Sequence, residues 1–248
     1  MFSADGVLRC SAWMDSELSV SGQSVYKGRK IMATTYPVTN YKGILLRARK
    51  SGGQGKVADI FTYSVGRIWV YIPQSVISKC GTGGTLPFTF LRFTVTATGD
   101  HPVMMQYESE KILDMMALSY EDMQCWYYVI ELAEELFPQE QENIEAYEVL
   151  KYGLLEAKAK NKMVAAFIIG VKLLLKAGFD PAGEGVMEES APSVPAQEFL
   201  KKCLLYRWGS GFNEVIKNKT FKEAAAYIDS FILKYCDVEL KTKGAFSK

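Results

Sequence analysis

Hydrophobic and polar positions change rhythm near the middle of this 248-residue chain. From residue 41 to about 98 they fall into short alternating runs at 44–49, 57–63, 67–72 and 86–97. Between them lie Ser51-Gly52-Gly53-Gln54-Gly55, then Ser64-Val65-Gly66, then a loop over 79–84 with three glycines. Short runs joined by glycine-bearing turns predict strands of a small sandwich or barrel. From about residue 109 the period becomes helical, with predicted helices over 109–118, 121–137, 144–159, 162–177, 197–206 and 221–235. Ser119 is placed to cap the second of these, Pro138 to stop it, and Gly178 to close the fourth. Residues 180–196 contain Pro181, Pro192 and Pro195 and read as a surface loop. Strands first and helices afterwards predict an α+β chain or two adjoining domains.

Residues 1–30 lack sustained periodicity and are rich in Ser and Gly, so a poorly ordered extension is expected over 1–39, with Met32 an alternative start of the functional chain. The β half is then expected over 40–100 and the helical half over 101–248.

Charge follows the same division. Residues 1–99 carry twelve Lys/Arg against four Asp/Glu, and residues 100–248 carry seventeen against twenty-four, so a front of +8 and a back of −7 hide behind a net charge of +1. Either the basic half meets a polyanion or the two halves attract each other. Alternate residues of a strand share a face. In the run 67–72, Ile68, Val70 and Ile72 suit a barrel interior, while Arg67, Trp69 and Tyr71 share the other face. Arg47, Arg49, Lys50 and Lys56 flank the first two runs, and Phe61 and Tyr63 share a face of the second. Cations interleaved with rings fit single-stranded nucleic acid, because cations follow phosphates and rings stack on bases. The competing reading buries the rings beneath the helical half. For the arginines, burial requires acids, and Asp59 is the one acid between residues 40 and 99.

Signs of catalysis fail on inspection. The run 51–56 lacks the first glycine of a phosphate-binding loop, where Lys50 stands, and has Val57 in place of Ser or Thr. His101 is the single histidine, so neither a zinc site nor a Cys–His pair gathers support. Glu131, Glu134 and Glu135 read as the wet face of one helix. A nuclease would need a carboxylate cluster that the β half lacks. Five scattered cysteines read as free thiols of a reducing cytoplasm. The longest apolar stretch, 163–175, is broken by Gly170 and Lys172 and is too short to span a bilayer. The first ten residues hold Asp5 and Arg9, which argues against a signal peptide.

The order of several short motifs resembles the RecO family of bacterial recombination mediators. They are Gly43-Ile44-Leu45-Leu46-Arg47, Ala58-Asp59-Ile60-Phe61-Thr62, Val65-Gly66-Arg67-Ile68, Leu86-Pro87-Phe88, Ala166-Phe167 with Leu173-Leu174, Gly178-Phe179-Asp180-Pro181, and Leu240-Lys241-Thr242-Lys243. The resemblance implies an N-terminal OB-fold barrel followed by an all-α domain. It also implies a non-catalytic DNA repair and recombination protein that binds single- and double-stranded DNA and anneals complementary strands. Implied partners are RecR, the acidic tail of single-strand-binding protein and, indirectly, RecA. Many members hold zinc through four cysteines after the Gly-x-x-Pro motif. The loop at 180–196 has none, so no metal or cofactor is expected. Many members also have a strongly basic loop after the third strand, where residues 73–79 hold one cation. The expected DNA contacts are therefore Arg47, Arg49, Lys50, Lys56, Arg67, Trp69, Tyr71, Lys79 and Arg92. The alternative is a module of the same fold that docks on acidic protein tails with little DNA binding.

Overall fold

Five strands close into a barrel in the order β1-β2-β3-β5-β4. They are β1 (Val38–Lys50), β2 (Gly55–Thr62), β3 (Gly66–Pro73), β4 (Thr89–Thr98) and β5 (His101–Lys111). The structure is a computed structural model that describes residues 37–98, 101–159, 161–183, 192–210 and 216–247. The expected extension, up to residue 36, and residues 184–191 of the loop at 180–196 lie outside the described residues, and Val38 and Thr39, expected in the extension, belong to β1.

The long first strand holds the barrel together. It pairs with β4 through Val38–Ile44 and with β2 through Gly43–Lys50. The β1–β2 register shifts between Leu45 and Arg47. Such a bulge bends a strand and turns two consecutive side chains to one face. Here Leu45 enters the barrel interior, while Leu46 and Arg47 both turn outward, Leu46 joining Ile44 in the core shared with the helices. In β3 the expected alternation holds, with Ile68, Val70 and Ile72 inside the barrel.

Two elements differ from the expected pattern. Residues 74–80 form a short helix, α1 (Gln74–Cys80), where a loop was expected. Seven residues are too few for propensity to specify a helix, and packing decides. Val76 and Ile77 close the barrel interior. The second difference is β5, which carries the barrel on to Lys111, beyond the expected limit at 100 and into the helix expected over 109–118. Only a 3-10 turn, Met115–Ala117, is helical there. In the β4–β5 ladder Thr94 faces Gln106 and Val95 faces Met104, so Met105 is an extra residue. The bulge places Met104 and Tyr107 inside and Met105 and Gln106 outside, which mimics a helical spacing.

The helical half comprises α2 (Tyr120–Leu136), α3 (Ile144–Ala159), α4 (Lys162–Lys176), α5 (Val194–Leu205) and α6 (Asn218–Phe231). Ser119 caps α2 by accepting from the Asp122 N–H at 3.1 Å, as expected. Gly178, at φ +94°, ends α4. Both halves belong to one compact unit, Tyr36–Lys248. Ile44, Leu46, Phe61 and Phe88 from the barrel are buried in the helical core. Phe61 meets the Phe137 ring edge-on at 5.5 Å, and Phe88 meets Trp126 at 5.2 Å. At roughly 2 kcal/mol for each large apolar side chain removed from water, these four alone fasten the halves firmly. Phe61, expected on a solvent-facing ring surface, is therefore part of the joint. The β2–β3 turn docks beside it. Gly66 has φ +72°, and a Cβ there would lie 1.9 Å from the Gln141 carbonyl oxygen. No described helix is long and apolar enough to cross a membrane.

Candidate nucleic-acid interface

Two of the expected DNA contacts serve the joint instead. Arg67 lies on the outer face of β3, opposite Phe61. Its Nε is 3.3 Å from Asp59 Oδ1, and both side chains are about nine-tenths buried. Its Nη1 donates to the Ala133 carbonyl at 3.4 Å and also to the Glu134 carbonyl. These carbonyls close the last turn of α2, where backbone acceptors lack intrahelical donors and a cation is favoured. Arg47 pairs with Glu134 at 3.0 Å, its side chain one-third exposed. Burial pushes the Asp59 carboxyl above its ordinary range, against the pull of Arg67. Burial does the same to Glu134, against the pull of Arg47. Counting acids within the first half missed this arrangement, because Glu134 comes from the acidic half.

The expectation of one wet carboxylate face on α2 is corrected in the same way. Of Glu131, Glu134 and Glu135, only Glu135 is exposed. Glu131 is buried and accepts hydrogen bonds from the Lys241 N–H at 2.8 Å, the Thr242 N–H at 2.9 Å and the Thr242 hydroxyl at 2.6 Å. It anchors the C-terminal segment, whose Phe246 packs on Tyr128 and Phe167.

Arg49, Trp69 and Tyr71 come together elsewhere on the barrel, while Lys50 and Lys56 fall in the row of the inward-facing Ile72, at the strand ends beside that surface. Cross-strand registers place Arg49, Val57 and Tyr71 in one row of the outer surface, and Arg47, Asp59 and Trp69 in the next. At about 4.8 Å between strands, the Arg49 and Tyr71 backbones stand roughly 10 Å apart. Trp69 is 45 % exposed. Its indole N–H donates to Asp59 Oδ2 at 3.3 Å, which fixes the ring from one side. The His101 ring meets it edge-on at 6.3 Å from the start of β5, whereas the sequence suggested His101 only as a metal ligand or a partner of a cysteine. Tyr71 is half-buried and donates its hydroxyl to the Gln54 carbonyl at 2.7 Å, tying β3 to the β1–β2 turn. At the mouth of that turn Lys50 stands directly opposite Lys56. Facing like charges destabilise a strand pair, and an anion between them offsets the cost.

Lys79 and Arg92 belong to another surface. They line a groove of about 440 Å³ bounded by β1, β4, β5 and the end of α1, together with Lys42, which the sequence reading passed over. Among the described residues no group of three or more His, Cys, Asp or Glu side chains is arranged to hold a metal ion. Burial pushes the Cys125 thiol up to about 12 and the Cys236 thiol to about 11, so neither is a ready nucleophile. No model of a known protein family matches the sequence, and no curated protein matches it.

Proposed function

We propose that this chain binds single-stranded nucleic acid across the outer surface of β2, β3 and the start of β5. The observation that carries the reading is Trp69. It is a large ring left 45 % exposed on a strand face, held by Asp59 and flanked by Tyr71, His101 and the cations of the β1–β2 hairpin. A base stacked on such a ring gains about 1–3 kcal/mol, and the hairpin cations take the adjoining phosphates. The strand order and the helix between β3 and β4 support reading the barrel as an OB-fold. In OB-folds the face of the second and third strands, with the first and last turns, carries oligonucleotides. Here that surface holds Trp69 and Tyr71, the turn after Lys50 and His101.

Together with the motifs shared with RecO, this supports a role as a DNA repair and recombination mediator. On that reading the protein binds and anneals DNA coated by single-strand-binding protein and works with RecR in loading RecA. Titration of a fluorescent oligo-dT at several salt concentrations tests the binding step. Trp69→Ala is expected to weaken binding about tenfold or more. Charge reversal at Arg49 and Lys50 is expected to flatten the salt dependence by roughly 0.7 per lost phosphate contact. Unchanged affinity in both variants refutes the assignment. The engagement of Arg47 and Arg67 with α2 favours a second reading, in which the barrel docks on acidic protein tails. Retained capture of single-strand-binding protein in the absence of any DNA binding would select it.

A further inference from the structure

The groove bounded by β1, β4, β5 and α1 differs in chemistry from the Trp69 surface. On its floor Lys42, Arg92 and Glu108 stand side by side across three strands, and Asn40, Thr94 and Gln106 form the next row of the same face. The Thr94 hydroxyl donates to Asn40 Oδ1 at 2.7 Å. Lys79 overhangs from the last turn of α1. Tyr107 fixes that helix end by donating its hydroxyl to the Gly81 carbonyl. The rings that line the groove are turned away from stacking. Phe93 and Tyr107 are buried in the barrel, and Tyr41 is half-buried against Phe93. What the groove presents to solvent is the Lys42 and Lys79 ammonium groups and the Gln106 amide, with the Glu108 carboxylate beside them, and cations and amides are the groups that contact phosphate and sugar without reading bases.

Along β1, Lys42 is seven residues from Arg49, roughly 23 Å at the rise of a strand. A few nucleotides seated at Trp69 therefore leave the groove unfilled. We propose that the groove is a second nucleic-acid site, which grips a sugar–phosphate backbone regardless of base, so that one barrel holds two strands at once. This site rests on the reading that the barrel binds nucleic acid. It adds a separate surface with its own cations, Lys42 and Lys79.

The test is stoichiometry. Analytical ultracentrifugation with labelled dT12 at low salt counts strands per chain, while quenching of the Trp69 emission, identified by its loss in Trp69→Phe, follows the first surface alone. Wild type is expected to take two strands. Lys42→Glu combined with Lys79→Glu is expected to take one, with the quenching midpoint moved less than twofold. Lys42→Gln with Lys79→Gln, which keeps the surface polar, is expected to weaken the second strand and lower its salt slope by roughly 1.4. A wild type that saturates at one strand, or a charge-reversed variant that still takes two, overturns the second site. Absence of Trp69 quenching, with binding that ignores Arg49→Glu and vanishes in the groove variant, overturns the Trp69 assignment and leaves the groove standing.

Discussion

Replacing Arg67 with methionine separates its structural role from a phosphate contact. The guanidinium is about nine-tenths buried between Asp59 and the carbonyls of Ala133 and Glu134. Methionine fills much of the space but provides no donor. Asp59 keeps the Trp69 N–H and loses its ion-pair partner, while the end of α2 loses its cap. Removing one member of a buried pair costs about 3–5 kcal/mol, because the remaining charge stays desolvated. Asp59 has an escape, since burial already favours its protonated form. The expected loss therefore sits near the lower end, about 3 kcal/mol, or roughly 10 °C in melting temperature for a chain of this size. Urea unfolding at pH 7 measures it directly, and Arg49→Met, on the open surface, is expected to stay within about 0.5 kcal/mol of wild type. Adding Asp59→Asn to Arg67→Met should recover much of the loss by removing the stranded charge. A loss below about 1 kcal/mol in Arg67→Met, or unchanged stability with a weaker salt dependence of DNA binding, would refute the reasoning and return Arg67 to the nucleic acid.

Glu131→Ala removes the acceptor for two backbone N–H groups and a hydroxyl of the C-terminal segment. It is expected to cost on the order of 3 kcal/mol and to expose residues 240–247 to carboxypeptidase, whereas Glu135→Ala should do neither. Asp59, Glu134 and Asp229 all titrate above their ordinary values because they are buried. The folded state therefore holds protons that the unfolded chain has released, and these groups subtract stability as pH rises from the unfolded carboxylate range through their raised values. Melting temperature should accordingly respond less to a rise from pH 4.5 to 7 in Asp59→Asn than in wild type, and an identical pH profile would exclude Asp59 as a contributor.

Much of the architecture was legible from local rhythm. The alternation in β3 pointed Ile68, Val70 and Ile72 inward, and the helical period with Ser119 and Gly178 located α2 and α4. What escaped was structure that a neighbour imposes. The α1 helix exists because Val76 and Ile77 plug the barrel. The bulge at Met105 hid β5 by breaking its alternation. The candidate site was legible in its residue types and only half legible in its membership. Trp69, Tyr71 and Arg49 share a surface, whereas Lys50 and Lys56 alternate to the other side at the strand ends, and the part of His101 was missed because its contact with Trp69 spans two strands that are distant in sequence.

The sequence by itself determined the order of strands and helices and the inward face of most of them, because side-chain periodicity is a property of a few consecutive residues. Only the tertiary structure decided which charges remain open to a ligand. Arg67 and Glu134 are 67 positions apart, and their meeting depends on how α2 ends against the barrel. A guanidinium carries the same charge in either setting, and burial beside a carboxylate and a helix end commits it to the fold, whereas water leaves it available for a phosphate.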